Sequence, residues 1–301
     1  MSPAEQPMAR SSFSGLGALM LASVVFSWGF VIVKHLELPP ATLAFYRLGI
    51  GGLVLVVAAR LLGASRPARL RTVLAAGLFF GLHQLLYISA TQQTSIAIVT
   101  LIGALQPLVV ALVSHRVVGE RPPPSLPFFA LLAAAGVGLV VWANRSDPSR
   151  SLLGDILALV NVAAFTAYFL MSKRARAEGT QTLTLTAASV CVAMLVVAPA
   201  LWFMDEIVPS RGAQWALLAL LALGPGNGHL LVNWAHSRVS AALASLVLTA
   251  VPLLASIWAH LVFGEPYGWP HLVGILLVGA AVEGGRRAEL RRLRAPLHAA
   301  G

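Results

Sequence analysis

Apolar residues fill ten long blocks of this chain, 15–33, 40–61, 72–90, 95–114, 126–142, 154–172, 183–204, 214–234, 240–262 and 269–285, and polar residues collect in the short gaps between them. Each block is close to the ~20 residues a helix needs to cross a hydrocarbon core. The blocks are continuously apolar and rich in Leu and Ala, whereas barrel strands would alternate every second residue, so the pattern predicts an all-α polytopic membrane protein of ten transmembrane helices. The first block is too long for a signal-peptide core and lacks a small-residue cleavage site after it, so it reads as the first span.

The blocks repeat. LQPLVVALVSHRVVGE, ending at Glu120, returns 145 positions later as AVPLLASIWAHLVFGE, ending at Glu265, with Pro107 opposite Pro252 and the Gly-Glu pairs in step. The register extends backwards through Gly81 and Gly226, Leu85 and Leu230, Ala90 and Ala235, Ser95 and Ser240. After a two-residue deletion it brings Pro127 opposite Pro270. The chain therefore divides into two five-span halves, 1–149 and 150–301, the second carrying a basic tail. Duplicated apolar units of this size mark secondary transporters.

Charge sets the orientation. Sixteen Lys and Arg fall on one side of the predicted membrane, among them Arg66, Arg116, Arg121, Lys173 and Arg286, while Lys34, Arg145, Arg150 and Arg211 fall on the other and Arg47 lies inside the second block. The richer side is cytoplasmic by the positive-inside rule, which puts both termini there. Five spans per half is odd, so the second half enters upside down, and two halves of like packing but opposite sense have two near-equal states open to either face.

Composition narrows the classes further. With 58% hydrophobic and 11% charged residues there is no room for a soluble catalytic domain. The net charge of +10 sits in juxtamembrane loops and the tail, so it speaks for topology and anionic lipid and against nucleic acid. Cys191 is the single cysteine, so no intrachain disulfide forms.

Several local patterns resemble the EamA type of the drug/metabolite transporter superfamily. They are SWGF at Ser27 to Phe30 with Lys34 behind it, Pro40 with Tyr46-Arg47, Gln106-Pro107 with Gly119-Glu120, Gly154-Asp155, and Pro252 with Gly264-Glu265. The likeness covers about residues 14 to 285 and implies a ten-helix inner-membrane carrier, often an exporter of amino acids or related metabolites. Phe165 stands where the family often has Trp.

Candidate site residues come from polar groups deep in the spans. Gly224-Pro225-Gly226-Asn227-Gly228 predicts a broken helix, because it removes one backbone donor and supplies weak helix formers; broken helices at mid-membrane line binding cavities. The same glycines also suit close helix packing, as do Gly77 and Gly81. His83 and His229 fall near the centre at almost equivalent places of the two halves, and intramembrane titratable groups point to function. Arg47 is the one cation within a span, which disfavours multiply charged phosphates and suits a zwitterionic or neutral metabolite. Trp28, Tyr87, Gln106, Asn161, Tyr168, Asn233 and Trp258 complete the expected substrate site. Pro107, Pro252, Gly226, Glu120 and Glu265 are the expected hinge or gate. No carboxylate falls at mid-span, so coupling to protons would rest on the histidines.

The expected function is a secondary transporter or exchanger of a small metabolite, without metal or cofactor, as monomer or homodimer. Broad-specificity drug efflux is the main alternative. A membrane-embedded enzyme would need a nucleophile and base, or a metal cluster, at one depth, and no G-x-S-x-G, H-E-x-x-H or cysteine pair is present. A channel would need neither inversion nor duplication.

Overall fold

A computed structural model describes residues 5–94, 96–143, 151–263 and 268–298, and among them the secondary structure is helical throughout. The helices are α1 (Glu5–His35), α2 (Pro40–Leu61), α3 (Leu70–Gln93), α4 (Ile96–Gly103), α5 (Gln106–Val118), α6 (Leu126–Ala143), α7 (Leu152–Ala177), α8 (Thr182–Val197), α9 (Gly212–Leu221), α10 (His229–Ala235), α11 (Ala241–Leu248), α12 (Ala250–Phe263) and α13 (Trp269–His298). Among the described residues eight stretches are long and apolar enough to cross a membrane: Phe13–His35, Pro40–Leu61, Leu70–Gln93, Ile98–Val118, Leu152–Ala177, Thr182–Phe203, Gly212–Ala235 and Ala241–Val262. Leu126–Leu139 is a shorter apolar helix.

Residue distribution is inverted relative to a water-soluble protein. Leu53, Leu112, Leu195 and Leu276 stand outside, while Arg47, His83, Gln84, Gln106, His229 and Asn233 are buried. Lipid tails accept an apolar exterior, and polar groups inside must find one another or a wet cavity.

The seventh apolar block tightens into a 3-10 helix at Ala198–Phe203, beside Pro199, and three others are interrupted where sequence chemistry requires it. The fourth breaks at Ala104 and Leu105 between α4 and α5, just before Pro107, and the ninth breaks at Thr249 between α11 and α12, just before Pro252. Proline disfavours helical geometry in the residue before it and is tolerated in a helix's first turn, so each break precedes its proline. The eighth contains a wider π-type turn at Ala222–Gly226, in which the Asn227 amide reaches back five residues to the Ala222 carbonyl at 2.9 Å. Pro225 has no amide to continue the ladder, and the wider register absorbs that loss.

Caps fix the ends. Ser151 accepts from the Gly154 amide at 3.1 Å, Ser240 accepts from the Leu243 amide at 3.1 Å, and Gly119 closes α5 at φ +73°, where a side chain would be strained.

Packing is tightest where Gly77 and Gly81 let α3 lie on α8. A Cβ at Gly77 would sit 3.1 Å from the Ser189 carbonyl, and one at Gly81 2.9 Å from that of Ala193. Gly224 faces open space, so its packing role is not realised, whereas Gly228 abuts Phe26. Elsewhere α3 lies along α7, α2 along α8, α6 along α13, and α1 against α10, α11 and α12.

Candidate functional site

The broken helices meet around a cavity of about 130 Å³. Its walls come from α1 (Phe26, Gly29, Phe30), α2 (Arg47), α3 (His83, Gln84, Tyr87), the α4–α5 break (Gly103, Ala104, Gln106), α7 (Asn161, Phe165), the π turn (Pro225) and the α11–α12 break (Thr249, Pro252). One ordered water needs ~10–15 Å³, so the space holds a small organic molecule or several waters.

Arg47 donates from Nη1 to Gln84 Oε1. It forms no ion pair among the described residues, and its Nε lacks a hydrogen-bond acceptor there. Gly226 makes its position possible: a Cβ at that residue would lie 3.4 Å from Arg47 Nε and 3.0 Å from the Leu221 carbonyl. The π turn and the guanidinium therefore pack against one another.

His83 and His229 face each other with ring centroids 6.2 Å apart. The His83 Nδ1–H donates to Asn161 Oδ1 at 2.7 Å, which fixes both the tautomer and the ring plane. Phe165 stacks on His83 at 4.5 Å and supplies an aromatic wall. His229 is held between Phe26 and Phe80 at 4.7 and 4.6 Å.

The structure brings together Arg47, His83, Tyr87, Gln106, Asn161, His229 and Pro252 of the expected residues. The others sit elsewhere. Tyr168 and Asn233 are fully buried one layer behind, where Asn233 Nδ2 donates to Tyr168 Oη at 3.3 Å and Thr186 Oγ1 at 3.0 Å. Trp28 and Trp258 pair with centroids 4.5 Å apart, and the Trp258 Nε1–H donates to Ser27 Oγ at 2.8 Å. Asn227 presents Oδ1 to Gly51 of α2, and Pro107 is buried in the first turn of α5. Glu265 lies outside the described residues.

Glu120 belongs to a second cluster, in a wider hollow of about 720 Å³ with Lys173, Arg121, His236, Ser240 and Glu289 on its walls. One Glu120 oxygen pairs with Lys173 Nζ at 2.8 Å, and the other accepts from the Ala241 amide at the start of α11, also at 2.8 Å. Lys173 donates further to the His236 and Val239 carbonyls at 2.8 and 2.5 Å. The sequence counted Lys173 among loop charges, but α7 runs on to Ala177 and buries it. Gln84 lines the cavity without having been singled out from the sequence; an amide at mid-span directly after His83 was the signal for it. Among the described residues no three His, Cys, Asp or Glu side chains converge to hold a metal ion.

An apolar exterior and helices of membrane-crossing length packed around an internal cavity mark a multi-pass membrane protein. The chain belongs to the EamA-like transporter family, whose profile matches residues 13–142 and 152–282. It is 25% identical over 275 residues to the pseudopaline exporter CntI of Pseudomonas aeruginosa, covering 89% of this chain and 95% of that one. It is 28% identical over 292 residues to the transporter YwfM of Bacillus subtilis, covering 90% and 96%. A solved crystal structure shares the fold with a TM-score of 0.77 at 21% identity, over 95% of this chain and 99% of its own.

Proposed function

We propose that this chain is a secondary carrier that exports a small metabolite across the inner membrane by alternating access, with the cavity as its substrate site. The carrying observation is that three interrupted helices open on one internal cavity lined by buried polar side chains. Export is the direction in the name of the Pseudomonas relative.

The reading includes ten spans, with α6 and α13 as the fifth and tenth, arranged as two inverted halves, 1–149 and 150–301. The packing supports it, because exchanging the halves maps contacts onto contacts. The packing of α3 on α7 answers to α1 on α10, α3 on α8 answers to α2 on the π turn, and α4 on α12 answers to α11 on α5. Loop contacts agree with the charge-based sides. Thr184 at the start of α8 and Gln181 just before it bond to Ser65 in a loop assigned to the cytoplasm, and Thr42 at the start of α2 donates to the Glu206 carbonyl in a loop assigned outside. In this state the Glu120–Lys173 cluster is the closed cytoplasmic gate, with Pro107, Pro252 and the π turn as hinges.

Gly103 supplies the test, since it lines the cavity and a Cβ there would meet open space. In proteoliposomes preloaded with a panel of amino acids, nucleosides and simple sugars, the protein should mediate saturable efflux of at least one member. Gly103→Phe should block it while the protein stays folded. Undiminished flux in that variant would remove the cavity from the route.

A further inference from the structure

The cavity is stocked with hydrogen-bond donors and lacks a charged acceptor. Four buried side-chain atoms on its wall have no partner among the described residues: Arg47 Nε, Gln84 Nε2, Gln106 Nε2 and His229 Nδ1. The first three donate by chemistry, and the fourth donates or accepts according to tautomer. The orientation of Gln84 is fixed, because Arg47 only donates and must be met by Oε1, which turns the amide nitrogen away unpaired. Arg47, Gln84 and Gln106 are each at most 4% exposed, so water at the protein surface does not satisfy them.

Unpaired buried donors are costly, and a site retains them when a ligand supplies the acceptors. No Asp or Glu stands among the described lining residues, so nothing there matches an ammonium group with opposite charge. Gln106 is also the first residue of α5, so its side chain stands at the α4–α5 break. Phe26, Phe30, Tyr87 and Phe165 give the same cavity an aromatic wall.

We propose that the cavity is a receptor for an organic monocarboxylate, anchored on Arg47 with Gln84 and Gln106 as further donors, its apolar body lying against the aromatic wall. The proposal rests on the carrier reading above and puts a monoanion in place of the zwitterionic or neutral metabolite expected from the sequence. One guanidinium balances one negative charge; a second would enter a desolvated site unpaired.

The test uses four ligands with one body: 3-phenylpropanoate, phenylalanine, 3-phenylpropylamine and 3-phenylpropanamide, titrated calorimetrically into the full-length protein in lipid nanodiscs. The carboxylate should bind at least tenfold more tightly than the amine and the amide, and more tightly than the zwitterion. Arg47→Gln should lose tenfold or more for the carboxylate alone. Gln106→Leu, which leaves the guanidinium in place, should lose a smaller factor in the same direction and covers the case in which Arg47→Gln does not fold. Equal or better binding of the amine, zwitterion or amide, unchanged carboxylate binding in both variants, or no binding of the carboxylate overturns the proposal. Proteoliposome flux separates it from the carrier reading: saturable flux of the amine alone keeps the carrier and removes the anion site. Carboxylate binding without flux of any of the four keeps the anion site and removes the carrier.

Discussion

Lys34 and Lys173 occupy matching seats near opposite ends of α7. Lys34 Nζ donates to the Thr91 and Thr94 carbonyls at 3.4 and 3.2 Å, and Lys173 Nζ donates to the His236 and Val239 carbonyls, the residues 145 positions further on in each case. Thr94 in turn bonds Asp155 at the start of α7 at 2.8 Å, while Lys173 lies in its last turns. Each lysine thus caps the carboxyl end of a helix, and Lys173 alone adds a paired carboxylate among the described residues.

Lys173→Met removes the counter-charge of Glu120 and two carbonyl bonds, so the cytoplasmic end should loosen. The loss in stability should be about 2 kcal/mol, between that of an exposed and a fully buried pair, since Glu120 is 31% exposed. In a Cys191→Ser background, Gly103→Cys should react several-fold faster with an impermeant maleimide from the cytoplasmic side once Lys173 is replaced. An unchanged rate would mean the cluster does not close that face.

Topology is checked by single cysteines in the same background. Arg66→Cys should be labelled only from the cytoplasm and Arg211→Cys only from outside. Labelling of both from one face would contradict the inverted arrangement.

Gly226→Ala should displace Arg47, because the new methyl would press on its Nε and on the Leu221 carbonyl. The expected effect is a rise of about tenfold in the substrate KM, equivalent to ~1.4 kcal/mol, with Vmax per folded protein little changed. A fall in Vmax at constant KM would assign Gly226 to the hinge and not to Arg47.

His83 and His229 face each other across the cavity, with Arg47, Tyr87 and Tyr168 as the other titratable groups around them. Replacing both by Gln should abolish any dependence of transport on an imposed pH gradient. Dependence that survives in the double variant would place the coupling elsewhere.

Glu289 gives a pH-dependent stability effect outside the membrane spans. Burial, chiefly, pushes its carboxyl above the usual 4.5, with Glu120 adding to the rise and the Ser240 hydroxyl at 2.5 Å opposing it. The folded state therefore holds the proton more tightly than the unfolded one, and stability falls as pH rises through the window that begins near 4.5. Glu289→Gln should raise the melting temperature more at pH 8 than at pH 5. A gain independent of pH would show that charge is not the cause.

Sequence alone determined that this chain is a helical membrane protein and that its eighth apolar block breaks at Gly224–Gly228. Those properties follow from local chemistry: block length, a missing proline amide and glycine conformational freedom. Depth along a span also brought Arg47, His83, Gln106, Asn161 and His229 into the candidate set. Only the tertiary structure decided which way each side chain turns about its helix. Rotation about the helix axis put Tyr168 and Asn233 in the core, paired Trp28 with Trp258, and aimed Gln84 at Arg47. In uniformly apolar helices no amphipathic stripe encodes that rotation; it is set by glycine contacts such as Gly81 on Ala193 and Gly226 on Arg47, which involve residues more than 100 positions apart.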